Sequence, residues 1–403
     1  MRILSIILFI TLFSCKSPPE KKEETLSFQD IHNQAILVDS HNDVLLQTME
    51  KGVILDQDLT GITHADLDRL KQGGVDVQFF SVWCDGNQTN PFKYALVEMD
   101  SLNAIANRNP DKIIEVANSK EMMEAVNEHK IAAFFGVEGG HMIENDLAKL
   151  DSLFARGTRY MTLTWNNSTS WATSAADETA LEGGALNSEG RKGLSGFGKQ
   201  IVNRMNTLGM MVDISHVGEQ TFWDVIATTT KPVIASHSSV HAICPVPRNL
   251  KDDQIKAIAK NGGVVQINFY SGFISPEYEE KRDVFLLNHR SENDSLLASG
   301  INIYVAEELL FAKYTDKVQS FRPTLEQLMQ HIVHVIDLVG VDYVGLGSDF
   351  DGIPSAPIGL DDVTTYPIIT NALVEKGYST EDINKILGGN LIRVLEKNES
   401  NSL

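Results

Sequence analysis

Alternation constrains this chain more than any single motif does. Eight short stretches rich in β-branched and aromatic residues, at 36–44, 75–83, 131–138, 159–165, 210–216, 232–237, 263–269 and 343–349, are separated by longer stretches whose apolar residues recur every three or four positions. Leu147, Leu150, Leu153 and Phe154 share one such helical face, as do Phe197, Ile201, Val202, Met205 and Leu208. Thr324 and Gln327 form a capping box ahead of Leu325, Leu328, Ile332, Val335, Ile336 and Val339. Strands apolar along most of their length need cover on both faces, and eight of them alternating with helices is the count of a (β/α)8 barrel. The 403 residues, 42% of them hydrophobic, suffice for one such domain over 28–403. A Gly- and Ser-rich loop runs from Asn166 to about 193, and the tail 366–397 reads as helical segments broken at Gly377 and at Gly388-Gly389.

A doubly wound open sheet has the same alternation, and the strand ends decide between the two. His41 and Asp43 close the first stretch, Glu138 the third, His216 the fifth, His237 the sixth and Asp349 the eighth. In a barrel these ends converge on one mouth, whereas an open sheet spreads them along a line. A mouth lined with imidazoles and carboxylates is costly to desolvate unless cations compensate it. Histidine and carboxylate donors without cysteine suit zinc or a similar divalent ion. Six groups exceed the roughly three protein ligands of one catalytic zinc, so the expectation is a pair of ions about 3.5–4 Å apart sharing one carboxylate.

A formal net charge of -20 leaves no basic surface for phosphates and excludes nucleic acid as a partner. At the N-terminus Arg2 precedes an apolar run, Ile3 to Phe13, too short to span a bilayer but the right length for a secretory signal. The run ends in Leu12-Phe13-Ser14-Cys15, which resembles a bacterial lipoprotein processing site. That resemblance implies a signal peptide over 1–14, a lipid anchor on Cys15 and a polar, proline-broken tether over 15–27. The mature chain is then expected outside the cytoplasm, on the periplasm-facing outer membrane; a plain signal peptide cut a few residues later is the alternative. Cys84 and Cys244 are left to pair or stay free. The charged insertion 271–321 is open to use as a lid or as an oligomer contact, a homodimer among the possibilities.

Several stretches together resemble the membrane (renal) dipeptidase family of zinc peptidases: Asp39-Ser40-His41-Asn42-Asp43, Val137-Glu138-Gly139-Gly140-His141, Asp213-Ile214-Ser215-His216-Val217, Ser236-His237-Ser238-Ser239, Arg248-Asn249 and Gly347-Ser348-Asp349-Phe350-Asp351-Gly352. The resemblance implies that His41 and Asp43 bind one Zn2+, His216 and His237 a second, and Glu138 bridges them. Arg248 would hold a dipeptide's terminal carboxylate, and Asp349 would sit near its amino group and move protons. A water or hydroxide between the ions, its pKa lowered, would attack the peptide carbonyl, with Asp349 as base and then acid.

One position departs from the family: Trp165 stands where a histidine commonly contacts the substrate carbonyl. Indole donates one hydrogen bond and cannot change charge, so Asn166 or Asn167 is left as a substitute donor. This departure keeps two other readings open, a metal-dependent cyclic amide or lactone hydrolase and a catalytically silent, ligand-binding lipoprotein. His331 and His334 read as packing on a helix. His141, His241, Asp213 and Asp351 read as solvated or ligand-orienting groups, and Trp171 and Phe269 as core or pocket wall.

Overall fold

The computed structural model describes residues 26–180, 186–301 and 303–399; the signal peptide, Cys15 and nearly all of the tether lie outside them. The strands are β1 (Leu37–Asn42), β2 (Val75–Trp83), β3 (Ile113–Glu115), β4 (Ile131–Glu138), β5 (Thr158–Thr162), β6 (Met211–Asp213), β7 (Ile234–Ala235), β8 (Val264–Ile267) and β9 (Val344–Leu346). All pair in parallel in the order β1, β2, β4, β5, β6, β7, β8, β9. A bridge between Asn42 and Phe350 joins the last strand to the first, with Asp349 N–H donating to His41 O at 3.1 Å and Asp43 N–H to Phe350 O at 2.8 Å. The result is the expected (β/α)8 barrel. Strand alternation fills its interior: Val38, Val77, Phe79, Phe134, Tyr160 and Met211 meet in one buried cluster. The terminal helix Asn390–Glu399 lays Leu391, Val394 and Leu395 against the same cluster. The opposite faces of the strands pack against the surrounding helices in a second, larger core.

Four local expectations are corrected. A ninth strand, β3, pairs with the start of β4 outside the barrel order; three residues are too few to show periodicity. β1 stops at Asn42 after an irregular register with β2, short of the expected 44, so Asp43 reaches the mouth as the residue ahead of the helix Val44–Lys51. The loop after β5 carries a short helix, Ala175–Thr179. Gly388-Gly389 does not break the terminal helix but forms a π turn, Lys385–Gly389, that runs into it. A Cβ on Gly388 would lie 2.3 Å from Ile36 O, so glycine is what lets this turn press against β1. The capping box at Thr324 is present. His331 is packing, as expected: its Nδ1 accepts from Val240 N–H and its Nε2–H donates to Ile274 O, both at 3.0 Å.

Among the described residues, the insertion folds into five helices, Ser271–Ile274, Pro276–Asn288, Arg290–Ala298, Ile303–Lys313 and Thr315–Gln319. Pro276–Asn288, Ile303–Lys313 and Thr315–Gln319 build a small core of Tyr278, Phe285, Leu310, Phe311 and Val318, to which Phe321 adds, while Ile274 joins the main core.

Candidate active site

His41 and Glu138 lie on strands. Asp43, His216, His237 and Asp349 lie on the turns one to three residues past the ends of β1, β6, β7 and β9 rather than closing the strands as expected, and all six meet at one buried point. His41 Nε2 lies 3.3 Å from Asp43 Oδ2, 3.4 Å from Glu138 Oε2 and 3.9 Å from Asp349 Oδ1. The other oxygen of Glu138 faces the opposite way, 2.8 Å from His216 Nε2 and 3.5 Å from His237 Nε2. His216 and Asp349 adopt left-handed backbone with φ of 63°, an uncommon conformation for side-chain-bearing residues that costs roughly 1–2 kcal/mol each. Such cost concentrates where chain direction is subordinate to aiming a side chain.

Each imidazole is oriented from behind. His41 Nδ1 meets Tyr160 Oη at 2.7 Å, and the Tyr160 hydroxyl itself donates to Ser40 O, so His41 carries its proton on Nδ1. His216 Nδ1 meets Asn166 Oδ1 at 3.1 Å, an acceptor. His237 Nδ1 meets Ser236 Oγ at 2.8 Å, while that hydroxyl donates to Asp213 Oδ2 at 2.6 Å. All three histidines therefore point Nε2 inward. Burial holds His216 and His237 below the imidazole range, so each turns a lone pair to the cluster, whereas His41, against its burial, is raised well above that range by Tyr160, Asp43 and Glu138. His216 Nε2 and His237 Nε2 stand 2.9 Å apart, and His41 Nε2 is buried without a hydrogen-bond partner. Lone pairs facing lone pairs and carboxylates repel unless a cation lies among them, and this donor set fits divalent ions. Among the described residues, the groups close enough to hold an ion are His41, Asp43 and Glu138; Glu138, His216 and His237; and His41, His237 and Asp349.

The electrostatics follow from burial and crowding. Burial pushes Asp43 up, against the pull of His41. Asp349 is lifted well above the carboxylate range, by burial first and by Asp43 and Glu138 after it, despite the opposing pull of His41. Burial also opposes ionisation of Glu138, yet His41, His216 and His237 together hold its carboxyl well below that range. Burial and then the Arg248 charge bring His216 down to about 4.

A cavity of about 230 Å³ opens over this point. Arg248 lines one part of it, donating from Nη1 to Ser238 Oγ at 3.3 Å and from Nη2 to His237 O at 3.4 Å, with its guanidinium 5.3 Å from the Phe273 ring centre. Asp349 lines another, its Oδ2 accepting from Asn268 Nδ2 at 2.7 Å. Trp165 is a wall of the cavity, edge-on to Trp83 at 4.9 Å between centroids, and Asn166 lies beside it. The insertion contributes Arg282, Val305, Glu307 and Glu308, and Lys51 Nζ holds Glu308 Oε2 at 2.8 Å. The insertion thus roofs part of the mouth.

Of the other sequence candidates, Asp213 backs His237 through Ser236, and Asp351 accepts from the backbone N–H groups of His64 and Ala65. His141 Nε2 bonds Cys84 O at 3.0 Å. Trp171 and Phe269 are core. Cys84 and Cys244 are buried free thiols. Sequence reasoning did not single out Tyr160, Ser236 or Asn268, and no spacing could have done so, since each acts across the barrel on a partner remote in sequence or through a lone hydroxyl.

Fold and cavity define a (β/α)8 barrel with a buried cluster of imidazoles and carboxylates at its mouth, suited to divalent ions. Residues 26–403 match the family model described as membrane dipeptidase (peptidase family M19), and the chain belongs to that family of peptide-bond-hydrolysing metallo-dipeptidases. It is 33% identical, over 94% of its length and 84% of the relative's, to a protein of Schizosaccharomyces pombe described as an uncharacterized dipeptidase. Among solved structures it resembles the probable dipeptidase PvdM from Pseudomonas aeruginosa, with a TM-score of 0.76 at 23% identity over 93% of this chain and 98% of that one. It also resembles a metallopeptidase from Rhodobacter sphaeroides liganded with a phosphinate mimic of the dipeptide L-Ala-D-Ala, with a TM-score of 0.72 at 24% identity over 90% and 99% of the two chains. These two likenesses show the fold.

Proposed function

We propose that the chain is a two-zinc dipeptidase that cleaves dipeptides held between Arg248 and Asp349. The observation that carries this reading is Glu138, whose two oxygens face two separate ligand groups. His41 and Asp43 would hold one ion, His216 and His237 the other, with Glu138 shared. When bound, the pair supplies a water of lowered pKa and polarises the scissile carbonyl.

The chain's own residues do the rest. Arg248 offers an always-charged planar fork that matches the substrate's terminal carboxylate, and a longer peptide places no carboxylate there. Asp349 is fixed at Oδ2 by Asn268, leaving Oδ1 toward the cluster. Its raised proton affinity suits it to take the attacking water's proton and pass it to the departing amine nitrogen. Trp165 and Trp83 exclude water from the cavity wall, and Asn166 is the amide nearest Trp165 in the chain that lines the cavity. The Leu12-Phe13-Ser14-Cys15 run supports an extracytoplasmic protein held to the membrane by a lipid on Cys15.

Metal analysis combined with a substrate panel tests the reading. Zinc-supplied protein is expected to retain two ions per chain and to cleave free dipeptides but not their C-terminal amides; pairing L,L with L,D isomers reads out the stereochemistry. Turnover of a cyclic amide or lactone that survives Arg248→Ala would move the chain to the ring-opening class. Dipeptide binding by metal-loaded protein without cleavage would make it a binding lipoprotein.

A further inference from the structure

The two halves of the cluster are not equivalent. His41 has a carboxylate of its own half in Asp43, 3.3 Å away, and its Nδ1 rests on a neutral phenol. The other half has two neutral imidazoles and no carboxylate to itself, since Glu138 is shared with His41 and Asp349 stands within reach of both His41 and His237. His216 is backed by a neutral amide, Asn166. His237 alone is backed by an anion, and indirectly. Asp213 Oδ2 accepts from Ser236 Oγ–H and from Thr162 Oγ1–H, so the Ser236 hydroxyl can only offer its lone pair to His237. Reversing the Ser236 hydroxyl would set its oxygen lone pair against the carboxylate at 2.6 Å. Asp213 is in turn pinned by Ser215 N–H at 3.0 Å and Ser236 N–H at 2.9 Å, with all three side chains fully buried.

Resting on the two-ion reading above, we propose that Ser236 is a positioning residue whose relay to Asp213 sets how tightly the His216/His237 half holds its divalent ion. The hydroxyl locks His237 in the tautomer that turns Nε2 inward, and the carboxylate behind it strengthens that lone pair. This matters most in the half that lacks its own carboxylate. Outer partners of this kind change metal affinity by roughly 10–100-fold. The His41/Asp43 half is backed by Tyr160, whose hydroxyl bonds Ser40 O, and the Ser40 hydroxyl meets Ser236 at its backbone carbonyl, 2.6 Å away, a contact that does not use the Ser236 hydroxyl.

The test is zinc affinity of the full chain by competition with a chromophoric chelator, together with the visible spectrum of the cobalt-substituted protein. Wild type is expected to bind two ions. In Ser236→Ala one ion should bind as in wild type and the other about 10–100-fold more weakly, with one of the two cobalt absorption components lost. Ser236→Thr keeps the hydroxyl and should restore both. Tyr160→Phe should weaken the opposite ion. Two wild-type affinities in Ser236→Ala, or an equal weakening of both ions, would overturn the relay while leaving the dipeptidase reading intact. Wild-type protein that takes up no zinc would overturn both.

Discussion

At the scale of single residues, Glu138 bears the most. It is the one group whose two oxygens address both ligand halves, so Glu138→Gln is expected to lose metal and activity together. Elemental analysis of that variant beside a dipeptide assay checks it, and full activity with both ions retained would remove the bridging role. Asp349→Asn separates chemistry from binding. The amide can still accept from Asn268 but cannot take a proton, so kcat should drop by about 10²–10⁴-fold with metal content unchanged. An unchanged kcat would mean that the proton travels by another route. His41, Asp43 and Glu138 could be singled out in the sequence because each ends or follows an apolar run. Tyr160 could not, since its position in β5 is that of any core aromatic and its meaning comes from His41, 119 positions away.

At the scale of elements, the barrel's outer helices are fastened by buried polar contacts as well as by apolar faces. His331, on the helix Leu325–Val339, bonds both Val240 and Ile274 and is brought down to about 4, chiefly by burial. In the unfolded chain the ring titrates near its ordinary value of 6.5. Between those values the unfolded chain binds the proton and the folded chain does not, so this contribution is complete above about 6.5 and is lost as pH falls toward about 4. Glutamine can make the same two hydrogen bonds without titrating. His331→Gln, compared with wild type in chelator by melting temperature against pH, should therefore lose less stability across that window, and parallel curves would show that His331 is not responsible. The helical face was legible because period-3.6 patterning survives in one dimension. The π turn at Lys385–Gly389 was not, because the glycines answer to β1 pressing against them rather than to a helix end.

At the scale of the whole molecule, two predictions concern metal and membrane. A ligand bound by the folded state alone stabilises it in proportion to the logarithm of its concentration over its Kd. Chelation should therefore lower the melting temperature, and zinc should restore it; a melting temperature indifferent to both would argue against any built-in ion. Growth with labelled fatty acid should mark wild type and not Cys15→Ala, and equal labelling would remove the anchor.

The sequence alone determined the barrel, because eight strands covered on both faces leave a pattern that any reader of periodicity can count, and it determined the cluster, because strand ends of a barrel must share a mouth. The tertiary structure decided how Glu138 divides its oxygens, which ring nitrogen of each histidine faces inward, and what roofs the cavity. Those are matters of distance and direction between residues far apart in the chain, and linear order carries neither.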